Sequence, residues 1–247
     1  MDMIPDLSVF RADWHIHTVL SPCGDLEMTP CHIVAEAKAH GLDIIGICDH
    51  NTTRQCAEVK KVGDRANLFV LCGAEVTTRE EVHCLAFFET PAALAAFQCF
   101  LDAHLPPVAN RVDIFGHQLL VDAQERVLES VPQLLLSALT KSIDEVAAEV
   151  HRLDGLFIPA HIDKAQHSLL SQLGFVPRDL QVDALELTPR VTTDAFIRQH
   201  PALAGYPFIH SSDAHVPDEI GRAYTELRLK ECTFKEIKNA LHHGRTA

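Results

Sequence analysis

The sequence predicts an α/β protein in which a mainly parallel sheet closes into a barrel. Three observations lead there. Strand-like and helix-like segments alternate along most of the 247 residues, a length that one barrel commonly fills. Six of the strand-like segments end in side chains of metal-ligand type. Four of those side chains, His50, Glu75, His161 and Asp213, stand at the C-terminal ends of their runs, the face on which barrel enzymes assemble their sites. That shared polarity favours a closed barrel over an open sheet.

The elements follow in order. Residues 10–16 read as a strand, 30–40 as a helix, 43–48 as a strand, 53–66 as a helix, 68–73 and 82–88 as strands, and 91–105 as a helix. The alternation pauses between 106 and 140. Pro106-Pro107 breaks the preceding helix, residues 114–118 read as a turn or short extended piece, and residues 134–139 are apolar enough to pack on the barrel. It resumes with a helix over 141–153, strands over 156–160 and 182–187, a helix over 192–199, a strand over 207–212 and a last helix from about 233, which makes seven strands. The stretch 106–140 is read as an insertion within one domain spanning 1–247. Either it reaches over the barrel mouth through Gly116-His117-Gln118, or it packs a 134–139 helix on the exterior.

Composition narrows the class. Hydrophobic residues at 47% and charged residues at 22% describe an ordinary globular protein. No run of about 18 apolar residues occurs, so no membrane span is expected. Asp2 and Asp6 lie where a signal peptide carries positive charge, and the expected location is the cytoplasm. A formal charge of −13, from 21 Lys and Arg against 34 Asp and Glu, argues against a non-specific grip on nucleic acid. The eight cysteines form no Cys-x-x-Cys pair and suit a reduced compartment. Cys48, Cys72 and Cys84 fall in apolar strands as small hydrophobes, whereas Cys23 lies in a loop just after the first ligand pair.

In an extended strand residues i and i+2 share a face, so His15-Ile16-His17 and Asp213-Ala214-His215 each aim two ligands at one point. Between them come Asp49-His50, Glu75, His83 and His161, each on or just after an apolar run. A lone His83 would be read as a hydrogen-bonded core histidine; the whole series reads as a metal centre distributed along the chain. His32, His40, His104, His151 and His200 lie in helical stretches and take solvated or capping roles. His117 and His167 fall in loops that could lie over the site.

From Ala12 to about Tyr224, the order of these motifs resembles the polymerase and histidinol phosphatase (PHP) family of metal-dependent phosphoesterases. The resemblance rests on His15-x-His17, Cys48-Asp49-His50, Gly73-Ala74-Glu75, His83, Ala160-His161 and Ser212-Asp213-Ala214-His215. It implies a distorted (β/α)7 barrel with two or three divalent ions that hydrolyses phosphate esters. It also implies the ligands His15, His17, His50, His83, His161, His215, Glu75 and Asp213, with Glu75 bridging two ions. Such nitrogen and oxygen donors suit Zn, Mn or Fe better than Ca. One ion is expected among His15, His17, Glu75 and Asp213, a second among Glu75, His83 and His161, and a third near His50, His215 and the Asp25 loop. Asp25 is preferred as the ninth ligand with Cys23 its rival, and Asp49 is expected to orient a neighbouring ligand.

Ions at a barrel mouth can bring the pKa of a bound water towards ~7 and clamp the attacked and departing oxygens. Lys164, Arg190 and Arg222 are the candidates to hold the charged oxygens of the substrate, and either His215 or Asp49 to protonate the leaving group. The expected substrate is a small phosphorylated metabolite or nucleotide, because the chain ends with the domain and adds no nucleic-acid-binding appendage. A PHP-type nuclease or editing exonuclease, an inactive metal-binding scaffold and an amidohydrolase-like metal hydrolase are the alternatives. The Gly73-Ala74-Glu75 and Asp213-Ala214-His215 elements fit the phosphoesterase pattern better than the amidohydrolase one. No oligomeric state is assigned.

Overall fold

The computed structural model describes residues 7–244 and 246, so the reading of Asp2 and Asp6 lies outside the described residues. The chain runs β1 (Ser8–Ile16), α1 (Pro30–Ala39), β2 (Ile44–Ile47), α2 (Cys56–Arg65), β3 (Phe69–Thr77), β4 (His83–Phe88) and α3 (Pro91–His104). It continues through α4 (Val112–Phe115), β5 (Leu119–Val121), β6 (Val127–Ser130), α5 (Ile143–Arg152), β7 (Leu156–Pro159) and α6 (Leu169–Leu173). It ends with β8 (Leu185–Leu187), α7 (Thr193–Gln199), β9 (Phe208–His210), β10 (Thr225–Leu229) and α8 (Phe234–His242). No helix among the described residues is long and apolar enough to cross a membrane.

The expected barrel is present in distorted form. A six-stranded sheet in the order β10-β1-β2-β3-β4-β7 curls round to the parallel pair β8-β9. The links from β7 to β8 are single main-chain bonds, in which Asp183 N–H donates to Phe157 O (2.9 Å) and Ile162 N–H to Glu186 O (2.9 Å). The circuit returns to β1 where Ala214 N–H donates to His15 O (3.1 Å) and His17 N–H to Ala214 O (3.0 Å). Inside, Trp14, Leu71, Leu85, Phe87, Ile158 and Ile209 form one buried cluster, which α8 joins through Phe234, Ile237, Ala240 and Leu241.

Two features depart from the sequence reading. The first is direction: β4 is antiparallel to both β3 and β7, within a sheet expected to be mainly parallel. The pairing Thr77↔His83 sets the first residue of β4 beside the last residue of β3, so a side chain at a strand start reaches the rim where the other strands end. The second is β10, which pairs antiparallel with β1 where the sequence pattern predicts no strand. Its alternation of buried Thr225, Leu227 and Leu229 with more exposed Glu226 and Arg228 is the period-2 pattern of a half-buried strand.

The stretch 106–140 also differs. Val112–Phe115 is a helical turn in place of the expected turn or extended piece, and β5 and β6 form a short antiparallel pair. Residues 134–139 are not helical. Their backbone is held by side-chain amides and a main-chain bond: Asn51 Nδ2 donates to Leu135 O (2.7 Å) and Ser137 O (2.9 Å), and Leu139 N–H donates to Thr77 O (2.9 Å). Polar tethers thus fix a segment whose Leu135 and Leu139 are buried in the core.

At the end of the barrel where β7 begins, Asp183 gathers three donors. Phe157 N–H lies 2.7 Å away, His242 Nε2 2.8 Å and His151 Nε2 3.1 Å. Burial pushes the Asp183 carboxyl up, but these hydrogen bonds outweigh it and leave the group below its ordinary range. A carboxyl depressed in the folded state stabilises the fold fully above its unfolded pKa of about 4, and that contribution is lost as pH falls through the folded value. Asp183→Asn is therefore expected to cost ~1–3 kcal/mol at neutral pH in urea titrations. The deficit against the parent should shrink below pH ~4; a deficit independent of pH would assign the effect to packing instead.

Candidate metal centre

β1 delivers His15 and His17 with their Nε2 atoms 3.1 Å apart. Their other ring nitrogens are engaged from behind. His15 Nδ1 faces both carboxylate oxygens of Glu186 at 3.1 Å, and His17 Nδ1 lies 3.1 Å from Ser21 Oγ. Ser21 Oγ donates to Asp49 Oδ1 (2.7 Å), and Asp49 also accepts from Thr18 N (2.7 Å) and Thr18 Oγ1 (2.8 Å). Outer partners of this kind fix ring orientation and turn the free nitrogen inwards. Asp49 thus reaches His17 through Ser21, and both its oxygens are occupied.

Glu75 stands at the centre. Its carboxylate lies 2.8 Å from His83 Nδ1, 3.0 Å from His50 Nδ1, 3.1 Å from His161 Nε2, 3.3 Å from His17 Nε2 and 3.4 Å from His15 Nε2. Asp213 Oδ1 completes the group at 3.2 Å from His15 Nε2 and 3.4 Å from His17 Nε2. Metal–ligand bonds of about 2.0–2.2 Å place neighbouring tetrahedral ligands about 3.3 Å apart, close to these separations. His50 Nδ1 is buried and forms no hydrogen bond among the described residues despite its nearness to Glu75, which fits a donor meant for a cation. His161 and Asp213 leave their strands with φ of 32° and 54°, a left-handed region that non-glycine residues enter uncommonly.

Electrostatics follow from this crowding. Burial pushes the Glu75 carboxyl up, but His83, His15 and His50 more than reverse it and hold it well below the ordinary range. Asp213 is lowered likewise against burial, by His15 and His17. Burial, together with His17, brings His215 down to about 4. His215 Nδ1 donates to Asp213 O (2.9 Å), which leaves Nε2 as its free nitrogen.

Three ligand clusters result: His15 with His17 and Asp213, His50 with Glu75 and His83, and His17 with Cys23, His50 and His215. His161 joins the second through its contact with Glu75. The third cluster corrects the expected ninth position. Asp25 N–H donates to His215 O (2.8 Å), but its exposed carboxylate accepts from Glu27 N (2.8 Å), so Cys23 faces the cluster and Asp25 does not.

A cavity of about 390 Å³ opens over these groups, walled on one side by Leu136 and Ala138 of the inserted segment. That segment therefore both packs in the core and borders the mouth. His167 stacks on the His83 ring at 4.7 Å and lines the cavity, whereas His117 is exposed and outside its lining. An adjoining cavity of about 570 Å³ shares Lys164, Asp213 and His215 and adds Thr188, Arg190 and Arg222. Lys164 Nζ is paired with Asp213, and Arg222 lies 3.5 Å from Glu219. Glu186 and Ser21 are absent from the residues that the sequence motifs pick out. Glu186 does leave a signal, being the one charged residue in the apolar run 184–187.

The rim of the barrel gathers histidines and carboxylates that could hold metal ions. Residues 202–246 match the family model described as PHP-associated, in keeping with the resemblance carried by the motifs. An uncharacterized Bacillus subtilis protein, YqxK, is 28% identical over 93% of this chain and 61% of its own length. A lesion-specific endonuclease from Pyrococcus furiosus has the same fold with a TM-score of 0.69 at 22% identity, over 97% of this chain and 57% of that one. An endonuclease Q complex holds a 27-mer duplex with an abasic lesion at the active site, and matches with a TM-score of 0.71 at 22% identity, over 95% of this chain and 57% of that one. A provisionally assigned metal-dependent phosphoesterase from Bifidobacterium adolescentis gives 0.63 at 19% identity, over 94% of this chain and 95% of its own.

These comparisons correct the expectation that nucleic acid is excluded. In the endonuclease complex a protein of this fold holds a DNA duplex at its active site, so the fold is compatible with a nucleic-acid substrate. The ground drawn from the end of the chain also lapses, since the chain spans only about three fifths of YqxK and of the endonucleases.

Gly73 sets the position of Glu75. A Cβ there would lie 1.9 Å from Ala86 O on β4, so only glycine permits this pairing. Gly73→Ala is expected to destabilise the protein by ~1–3 kcal/mol or more in chemical denaturation. An unchanged midpoint would show that β3 and β4 have more freedom than the pairing implies.

Proposed function

We propose that the chain hydrolyses phosphate esters. The observation that carries this reading is the carboxylate of Glu75 within 3.4 Å of five imidazoles, at a cavity whose neighbour is lined by Lys164, Arg190 and Arg222. His15, His17, Asp213 and Glu75 would hold one divalent ion and Glu75, His50, His83 and His161 a second, and His215 stands beside a third position. Nitrogen and oxygen donors in this mixture suit Zn, Mn or Fe. Bound there, such ions supply an activated water and stabilise charge on the phosphoryl group.

The chain's own groups do the rest. Glu186, and Ser21 backed by Asp49, fix the rings of His15 and His17. Lys164, Arg190 and Arg222 hold phosphate oxygens beside the centre, and Leu136 with Ala138 keeps one wall dry. Both oxygens of Asp49 are engaged, and the one free nitrogen of His215 is assigned to an ion, so neither protonates the leaving group in this reading.

Small esters and the phosphodiesters of a strand both fall within this chemistry, and the solved DNA complex of this fold favours including a DNA phosphodiester among the substrates. Metal-loaded protein should turn over p-nitrophenyl phosphate or bis-p-nitrophenyl phosphate, or nick a duplex carrying an abasic site, and lose that activity on chelation. Turnover of amides without any phosphate ester would overturn the proposal in favour of the amidohydrolase alternative.

Two substitutions probe the centre. Glu75→Gln keeps the side-chain volume but removes the shared charge, and should lower turnover by about 100-fold or more with the fold retained by circular dichroism. Glu186→Ala frees the His15 ring and should weaken metal affinity by ~10–100-fold, read by competition with a chromophoric chelator. Affinity equal to the parent would remove Glu186 from the metal centre's support.

A further inference from the structure

The cavity over the metal centre has a wall that the ion ligands do not use, where the end of β3 and the turn into β4 meet the inserted segment and the loop after β7. Thr77 stands two residues beyond Glu75 on the same face of β3, and its side chain lines the same cavity. Its main-chain groups are both engaged, the N–H donating to Asn51 Oδ1 (3.0 Å) and the carbonyl accepting from Leu139 N–H (2.9 Å). Its hydroxyl, in a residue only 3% exposed, has no hydrogen-bond partner among the described residues. Buried hydroxyls are normally paired, so one left open beside a cavity is a place for a ligand group. Glu81 lines the same wall, and its exposed carboxylate forms no ion pair among the described residues. His167 lies beside it, donating from Nδ1 to Glu81 O (3.3 Å) and stacking on the His83 ring at 4.7 Å, which leaves Nε2 as its free nitrogen. Leu136 and Ala138 supply the apolar part of the wall.

Charge of either sign is disfavoured on this wall. An anionic group would meet the Glu81 carboxylate, while the cations that suit one, Lys164, Arg190 and Arg222, line the adjoining cavity. A cationic group would meet the divalent ions at the centre. Neutral hydroxyls fit both Thr77, which can donate and accept, and Glu81, which accepts; a carbon skeleton between them packs on Leu136 and Ala138. Resting on the phosphoesterase reading above, we propose that this wall is the subsite for the alcohol side of the ester and that it selects a neutral, hydroxyl-bearing group of the kind a sugar ring presents. The phosphate then lies towards Lys164, which both cavities share, and the sugar towards Thr77 and Glu81. A free sugar phosphate and an abasic nucleotide within a strand both carry such hydroxyls.

Two pairs of phosphate esters test this with the metal-loaded full chain. Ribose 5-phosphate is compared with tetrahydrofurfuryl phosphate, which has the same ring without hydroxyls. A duplex with a natural abasic site is compared with one carrying the tetrahydrofuran analogue, which lacks the hydroxyl on the anomeric carbon. The hydroxylated member of at least one pair should be favoured in kcat/KM by ~10-fold or more, and the pair that shows the preference identifies the source of the sugar. Thr77→Val, which keeps the side-chain shape and removes the hydroxyl, and Glu81→Ala should each cut that ratio by ~5-fold or more. Glu81 is exposed, so Glu81→Ala carries the test even where Thr77→Val fails to fold. Equal or reversed kcat/KM within both pairs, or a preference that survives in every folded variant, overturns the sugar subsite and leaves the phosphoesterase reading standing. Failure of the parent to hydrolyse any of the four esters overturns both.

Discussion

The carboxylate of Glu75 is 1% exposed and still held ionised, and much of the barrel rim is arranged around that charge. Removing a carboxylate from water costs several kcal/mol unless opposite charge and hydrogen-bond donors replace the solvent. Five imidazoles from four strands and the loops that follow them converge on it, His15 and His17 both from β1, and each must arrive within 3.4 Å. That demand explains several local features together. β3 runs past its expected end to carry Glu75, β4 turns back so that His83 meets it, and His161 adopts a backbone conformation that few side chains tolerate.

Around this centre the polar groups form layers. Glu186 supports two ligands at once, since its carboxylate faces the His15 ring and accepts from His161 N at 2.8 Å. Asp49 supports the His17 ring through Ser21 and closes the turn at Thr18. Asn51, two residues further on, anchors the inserted segment. A short stretch of sequence thus couples a ligand, its orienting partner and the wall of the cavity, so that substitutions there would not act independently.

Much of this is legible in the sequence because strand periodicity and ligand chemistry coincide. His15 with His17, and Asp213 with His215, announce themselves by spacing, and Glu75 and His161 by following apolar runs. Direction is not legible: nothing in residues 82–88 says that the strand runs backwards, and only the register with β3 explains why His83 reaches the rim from a strand start. The inserted segment misleads because its apolar content suggests a helix, whereas amide tethers from Asn51 and Gln118 fix its backbone without one. At the ninth position, chemical type and geometry point to different residues. Asp25 is the nearest carboxylate in the chain, but a tight turn sends its side chain to Glu27 and leaves the sulfur of Cys23 facing inwards.

The barrel's seam has a consequence of its own. Among the described residues, β1 and the segment after β9 are joined by two main-chain hydrogen bonds, from Ala214 to His15 and from His17 to Ala214, fewer than the long ladders of the six-stranded sheet provide. The residues flanking that seam are His15 and His17 on one side and Asp213 and His215 on the other. A ligand that engages both sides acts as a clasp across one of the two thinly bonded closures of the cylinder, the other being that between β7 and β8, so its binding energy is also closure energy. Breathing of the seam and release of the clasp become a single event, and the stiffness of the whole cylinder is then set by what occupies its rim.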